Sequence, residues 1–579
     1  MGTISDKLMR VINTKEDIRK ALISKGYDVP TSIPFKEYAK MISDLPCKVD
    51  DFPQLPGDVT RWHFGGLTNE MMAAMDDPRI EDADHKGRFL SFKNFAWKGM
   101  SGVGGYAGDF SKWRNNRDTT EIGITESNLK VIIDVKVSQG AGKNIVFISK
   151  SNLGISNNVT IKITSTYPEG VMKFSNSASN KYLKLPSNGI ITLQDNPEYT
   201  SNEMYLHLAS ADLGQITIEQ LPLYPGALVF DGVDDYGTCD NFPILTKEKG
   251  YTVVALRQWI TYNPNAISAI ATNASDQSFN GAFTFENYNK GAEQTISYGA
   301  TQISLQYSKS PFSWQTTSKY NGVNIANGNK DATNSLVLGR SYPQRNDFAN
   351  FAIWELVFLD HDATEEELTK IKDYFVKTYP WLFFDQAWTV TGKTNEDEDR
   401  ATIANITGNG NDLVLSNFGF IEGSGYNEEG EYAGYLVTDG VDDSGRAVGL
   451  TISKDFTLVG EWILFSKTSV NAGLSIHPQI HIFNRPEVIQ IIFRTAGKTL
   501  PVKSLKAICS DGRCYDENWS ELKINVGEFT DNKGTLFVAS NGTNYAQIAF
   551  KNLGIYDNQI LSKDDCIKAY NYLQTLKSK

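Results

Sequence analysis

The string Asp-Gly-Val-Asp-Asp occurs twice, and its acids are the first candidates for chemistry. Asp231, Asp234 and Asp235 recur 208 positions later as Asp439, Asp442 and Asp443. Carboxylates are hard oxygen ligands, so calcium is the ion to weigh. An EF-hand loop sets alternate carboxylates over about 12 residues, and neither string supplies them. An Asp-Gly turn at a strand end, its acids accepting from backbone amides, accounts for the same residues. No metal is expected there. Two further acids stand on apolar runs, Glu355 before Leu356 and Glu461 before Trp462. Each is alone on its run, and a lone strand acid is usually solvent-facing or hydrogen-bonded. Hydrolysis of a glycosidic bond needs two carboxyls about 5–9 Å apart.

The other reactive side chains make no better set. His477 and His481 flank Pro478, which argues against the helix a zincin pair requires. On a strand they would share a face, without a visible third ligand. The five cysteines, Cys47, Cys239, Cys509, Cys514 and Cys566, are too few and too odd for a disulfide framework. Cys509 and Cys514 read as a hairpin whose thiols face each other. Trp314, Trp381, Trp388 and Trp519 are candidates for stacking on sugar faces, although tryptophans in sandwiches are mostly core or interface residues. No Gly-x-Ser-x-Gly, P-loop or Gly-x-Gly-x-x-Gly string stands between a strand and a helix. The expectation is no catalytic, cofactor-binding or metal-binding residue, no cofactor, and a chain that is not an enzyme.

These residues must be held by sheets. The 579 residues exceed one core and imply three or four domains. Asn, Ser, Thr and Gly are abundant beside 26 Tyr and 30 Phe, a mix that suits strands joined by tight turns. The net charge of −12, with scattered Lys and Arg, speaks against nucleic acid or anionic membrane as partner. No apolar run approaches the roughly 20 residues that span a bilayer. MGTISDKLMRVINTKED has no secretory h-region, so the chain is expected to fold in a cytosol or to be exported by some unusual means. Residues 1–46 read as helical: Thr14 is an N-cap, Glu16 and Asp17 follow, Gly26 suits a C-terminal stop, Pro34 opens a second helix and Pro46 ends the segment.

The repeat organises the remainder. The fronts recur too: Thr68-Asn69-Glu70 as Thr394-Asn395-Glu396, and Asn94-Phe95 as Asn417-Phe418. The closing run Ala352–Asp360 resembles Ala549–Asp557, each followed by a helical stretch led by Thr364 or Ser562. Front motifs are 323–326 apart and the Asp-Gly strings 208, so the first copy carries about 115 extra residues. Residues 111–222 fit that size. Their β-branched runs at 131–137, 144–148, 159–164, 190–193 and 216–218 have the texture of an immunoglobulin-like sandwich.

Phe230-Asp231-Gly232-Val233-Asp234-Asp235-Tyr236, Thr407-Gly408-Asn409-Gly410-Asn411-Asp412-Leu413 and Leu553-Gly554-Ile555-Tyr556-Asp557 resemble the concanavalin A-like (LamG, laminin-G type) jelly-roll domains. Asp84-His85-Lys86-Gly87 stands where the first copy should have its Thr-Gly-Asn-Gly turn. In glucanases of this fold the resemblance implies two or three carboxylates at period-two spacing on one strand, and no such run occurs. The full layout, from Asn13-Thr14-Lys15-Glu16-Asp17 to Tyr224-Pro225-Gly226, is similar to virion surface proteins of gut-bacterial, crAss-like tailed phages.

The expected fold is mainly β: two concanavalin A-like jelly rolls, the first interrupted by an immunoglobulin-like sandwich, with a small N-terminal α-helical module. The expected domains are residues 1–46, an attachment module; 47–55, a linker; 56–110 with 223–385, the first jelly roll; 111–222, the insert; and 386–579, the second jelly roll. The resemblance implies a head-fibre or tail-fibre subunit on the virion surface, made in the host cytoplasm and adhesive towards host or glycans. Its expected partners are other virion proteins through residues 1–46, further copies of itself as a dimer or trimer, and a host-surface glycan. A capsule-degrading carbohydrate-active enzyme and a free glycan-binding lectin are the alternatives.

Overall fold

In the computed structural model the chain is mainly β, with few helices. The described residues are Lys15, residues 51–106, the strands and a few adjoining residues between 114 and 208, residues 213–243, the strands between 252 and 317, and, apart from short breaks, residues 335–578. The helical readings within 1–46 lie outside them, Lys15 excepted, as does Cys47. The chain divides into two compact units, residues 1–54 with 369–374, and residues 55–368 with 375–579. In the first, Phe52 packs edge-on against Tyr374 at 5.1 Å. All that follows concerns the second.

Among the described residues, six sheets make up this unit. Two five-stranded sheets hold the strands between residues 114 and 220. Strands such as Lys130–Val135 and Gly214–Gln220 alternate buried with less buried residues, as a strand with one face on a core must. Residues on either side of this segment form one pair of seven-stranded sheets, and residues after 385 form a pair of eight-stranded sheets.

These two larger pairs match strand by strand. In the first, the order is Arg79–Glu81, Phe89–Lys93, Tyr236–Cys239, Leu336–Leu338, Ser268–Thr272, Phe283–Tyr288 and Ala292–Ser297. In the second, it is Thr402–Ile403, Leu413–Ser416, Ser444–Ile452, Asn532–Val538, Asn471–His477, Ile480–Arg485 and Val488–Phe493, plus the edge strand Ala496–Leu500. The opposing sheets are built on Asn350–Leu359 and Ile548–Asp557, which are apolar and buried almost throughout because both faces are covered. Trp62 and Trp388, 326 positions apart like the Thr-Asn-Glu strings, are buried in equivalent places in the two cores. The copies also differ in strand direction. Thr301–Gln306 runs parallel beside Thr252–Thr261, whereas Leu505–Cys509 runs antiparallel beside Phe456–Leu464.

Thr364 caps the helix Glu365–Thr378 in a capping box with Glu367, and Ser562 caps the helix Lys563–Leu573. The second of these helices brings the copies together. Trp354 of the first copy meets Tyr572 edge-on at 6.0 Å, and Phe384 stacks on Tyr572 and tilts against Tyr556. The Tyr556 hydroxyl donates to the Trp381 carbonyl at 2.7 Å.

Candidate functional site

The Asp strings form the same turn twice. Asp231 Oδ1 accepts from the amides of Val233 (2.8 Å) and Asp234 (3.4 Å), and Asp439 Oδ1 accepts from Val441 and Asp442 at the same distances. Asp235 Oδ2 accepts from the Asp231 amide, and Asp443 Oδ2 from the Asp439 amide. Gly232 and Gly440 both have φ of 75°, the left-handed conformation for which glycine is the default residue. Asn94 and Asn417 donate to the carbonyls of Asp234 and Asp442, each at 3.0 Å. The Ser101 hydroxyl donates to Asp235, and Ser424 takes the same place beside Asp443. Asn69 clamps Val103, and Asn395 clamps Tyr426, through both backbone groups.

The three acids of each string lie close enough to share an ion. Two carboxylate oxygens of each string nevertheless already accept from the turn's own amides: Asp231 Oδ1 and Asp235 Oδ2 in the first, Asp439 Oδ1 and Asp443 Oδ2 in the second. Burial, together with Asp231 and Asp234, pushes Asp235 up to about 7, and burial raises Asp443 in the same direction. Val233 and Val441, 71% and 72% exposed, stand at the tips of the two turns.

Glu355 and Glu461, the acids that stood alone in the sequence, occupy one place in the repeat. Leu256 pairs with Glu355, and Glu461 pairs with Asn552. Both pairs abut a β-bulge whose extra residue is Trp354 in the first copy and Lys551 in the second. Bulges re-aim side chains and recur beside functional sites.

Neither acid faces open solvent. Glu355 is fully buried; its Oε1 accepts from the Tyr379 hydroxyl at 2.9 Å and contacts His63 Nδ1 at 2.5 Å, while Arg61 lies 3.5 Å from Oε2. The His63 side chain is 35% exposed and connects this group to solvent. Glu461 accepts from the Tyr435 hydroxyl at 2.7 Å, with Lys506 at 3.8 Å and Lys551 at 3.7 Å. Burial alone would raise its pKa; the two ammonium groups, with hydrogen bonds from Tyr435 and Tyr570, together outweigh burial and hold it at about 2. Lys506 also faces Glu517 and the Tyr570 ring.

The corresponding positions in the other copy carry no charge. Leu256, Trp354 and Ala227 stand where the second copy has Glu461, Lys551 and Tyr435; Asn552, Thr389 and Ala387 stand where the first has Glu355, His63 and Arg61. The fold is therefore built at both places without ions, and the ionic clusters are additions to it.

Other sequence candidates are displaced from the roles read for them. Arg513–Asp516 pairs with Leu505–Cys509 as a hairpin, but Cys514 lies opposite Ile508 and points into the core. Cys509 is on the other face, 3.9 Å from the Thr457 hydroxyl, so the reading of two facing hairpin thiols is corrected: the register puts them on opposite sides. His477 and His481 fall on two paired strands, with His481 Nδ1 3.2 Å from the Ser475 hydroxyl. Trp388 is core and donates to the Asn411 carbonyl; Trp519 packs on Tyr570; Trp381 is buried beneath Lys568. None of these three offers a ring to a sugar. The Trp314 side chain lies outside the described residues.

No family model and no curated protein matches the chain. Among solved structures, it is matched to the Trypanosoma rangeli sialidase in complex with sialic acid, at 9% identity over 89% of this chain and 98% of that chain, with a TM-score of 0.23. A truncated AlyQ with CBM32 and alginate lyase domains matches at 8% identity over 57% and 92%, TM-score 0.17. The botulinum neurotoxin serotype D binding domain matches at 10% identity over 77% and 93%, TM-score 0.13. Scores this low transfer neither fold nor activity.

The expectation that the chain is not an enzyme is withdrawn: the matched structures include sialidases, although at these scores they carry no activity over to this chain. The sequence argument rested on the lack of two acids on one strand. That pattern registers only acids on one strand and says nothing of the side chains that other strands bring to Glu355 and Glu461.

Proposed function

We propose that this chain is a structural protein of a tailed-phage virion, a head-fibre or tail-fibre subunit displayed on the particle surface and adhesive towards host glycans. In this reading, residues 56–110 with 223–385 and residues 386–579 are two concanavalin A-like jelly rolls. Residues 111–222 are an immunoglobulin-like insert, and residues 1–46 attach the chain to other virion proteins and organise its dimer or trimer. The observation that carries it is the duplicated pair of sheets with the same Asp-Gly turn and the same Asn and Ser clamps, joined through Trp354, Phe384 and Tyr572. Such a tandem presents two copies of one surface on a single stiff body, and paired weak contacts multiply into firm adhesion.

The acidic balance of the chain supports a neutral or polar partner over nucleic acid. No described helix is long and apolar enough to cross a membrane. The test is to assemble particles with the full chain and with residues 1–46 deleted, and to probe both proteins on immobilised bacterial surface glycans. The truncated chain should keep its glycan binding and lose incorporation. Normal incorporation without residues 1–46 would refute the attachment role, and lack of glycan retention by the full chain would refute the adhesive one.

A further inference from the structure

We infer that the polar row around Glu461 and Asn552, on the outer face of the second copy's sheet, binds the hydroxyl edge of one saccharide unit. The inference rests on the adhesive reading above and gives it a place. Asn552 is fully buried, yet among the described residues neither its Nδ2 nor its Oδ1 has a hydrogen-bond partner. Glu461 Oε1 accepts from Tyr435, whereas Oε2, also buried, accepts no hydrogen bond and has the Lys551 ammonium 3.7 Å away. A buried amide left unmet costs free energy, so its presence asks for a reason.

The sheet sets these groups side by side. Asn552 is the cross-strand partner of Glu461, so both emerge on one face. The bulge sends Lys551 to that face as well, since Phe550 and Leu553 on either side of the pair point into the core. A second bulge, between Leu505 and Ala507, carries Lys506 to within 3.8 Å of Glu461. Tyr435 closes the row, its ring 5.4 Å from the Lys551 ammonium and edge-on to Tyr432 at 6.4 Å. Tyr432 is only half-buried and Gly434 is exposed, which gives the row an edge at solvent.

The first copy meets the same position with protein groups. Glu355 stands in the place of Asn552 and is held by Tyr379, His63 and Arg61. Thr389 and Ala387 replace His63 and Arg61 in the second copy, and the Asn552 amide is kept without them. The open atoms fix the chemistry of the ligand. An anion would face the acceptors Glu461 Oε2 and Asn552 Oδ1, and a cation would face two ammonium groups. A hydroxyl donates and accepts at once, so neighbouring sugar hydroxyls satisfy both oxygens and the Asn552 Nδ2 together. Tyr432 supplies a partly exposed ring beside them, as sites of this kind require.

The experiment measures saturation-transfer NMR and thermal midpoints of the full chain with the methyl glycosides of glucose, galactose, mannose and N-acetylglucosamine, and with inorganic phosphate as competitor. At least one glycoside should register and raise the midpoint, and phosphate should not displace it. Asn552→Leu should weaken that binding by about tenfold or more, while its midpoint without sugar equals or exceeds that of the unaltered chain. Asn552→Ala, checked by circular dichroism, serves if the leucine variant does not fold. Binding unchanged in the variants, displacement by phosphate, no response to any glycoside, or a lower midpoint in Asn552→Leu, which would mark the amide as bonded to structural water only, would overturn the inference. Retention of Asn552→Leu on immobilised bacterial glycans at the level of the unaltered chain would strike this site and leave adhesion standing. No retention of the unaltered chain would strike adhesion itself, and this site with it.

Discussion

Glu355 and Glu461 occupy opposite members of the same cross-strand pair, Glu355 opposite Leu256 and Glu461 opposite Asn552, each beside a bulge at one register position. A carboxylate has thus been placed twice on a repeated sheet by different strands, and each has drawn a different set of partners.

Removing the Glu461 charge would leave Lys506 and Lys551 buried without their carboxylate. Glu461→Gln is expected to lower the stability of the second copy by about 3–5 kcal/mol, read by urea denaturation. Glu461→Leu combined with Lys506→Met and Lys551→Met, which approaches the apolar solution at Leu256 and Trp354, should recover most of the loss. A full-sized loss in the triple variant would show that packing, and not unpaired charge, sets the cost.

Asp235 titrates in a direction that fixes its pH dependence. Its pKa in the folded chain is near 7, above the ordinary 3.8. Its contribution is therefore fully present below about pH 4 and is lost as pH rises towards 7. Asp235→Asn should flatten the fall in thermal midpoint between pH 4 and 8, with a gain at pH 8 of roughly 4 kcal/mol at most. An unchanged slope in the variant would contradict this.

The Asp turns need no ion to hold their shape, since Asp231 and Asp439 already accept two amides each. EDTA is expected to leave the thermal midpoint where it is. A midpoint that falls with EDTA and returns with calcium would overturn that expectation.

Gly554 lies under the Phe384 ring, where a Cβ would overlap the ring carbons. Gly554→Val should cost about 1–3 kcal/mol through overpacking, and Phe384→Leu should partly rescue it. Additive losses in the double variant would mean that the two residues do not share the space.

Much of the architecture was legible because it is local. The Asp-Gly turns depend on five consecutive residues, and the unequal spacings of 208 and 323–326 point to an extra segment, read as residues 111–222. The Trp62–Trp388 repeat has the same 326 spacing as the Thr-Asn-Glu strings and could have been found from it. The polar clusters were not legible. Arg61, His63, Glu355 and Tyr379 come from positions up to 318 apart, and a bulge shifts which strand face each residue takes. Cys514 misled because sequence proximity says nothing of the face on which a thiol emerges.

The central claim is that this tandem stands on the outside of a phage particle. Immunogold electron microscopy of purified virions, with an antibody raised against residues 386–579, tests it most directly. The account predicts gold at the periphery of intact particles, on head or tail fibres and at regular positions. Gold absent from intact particles, with the antigen recovered only as free protein in the lysate, would contradict it.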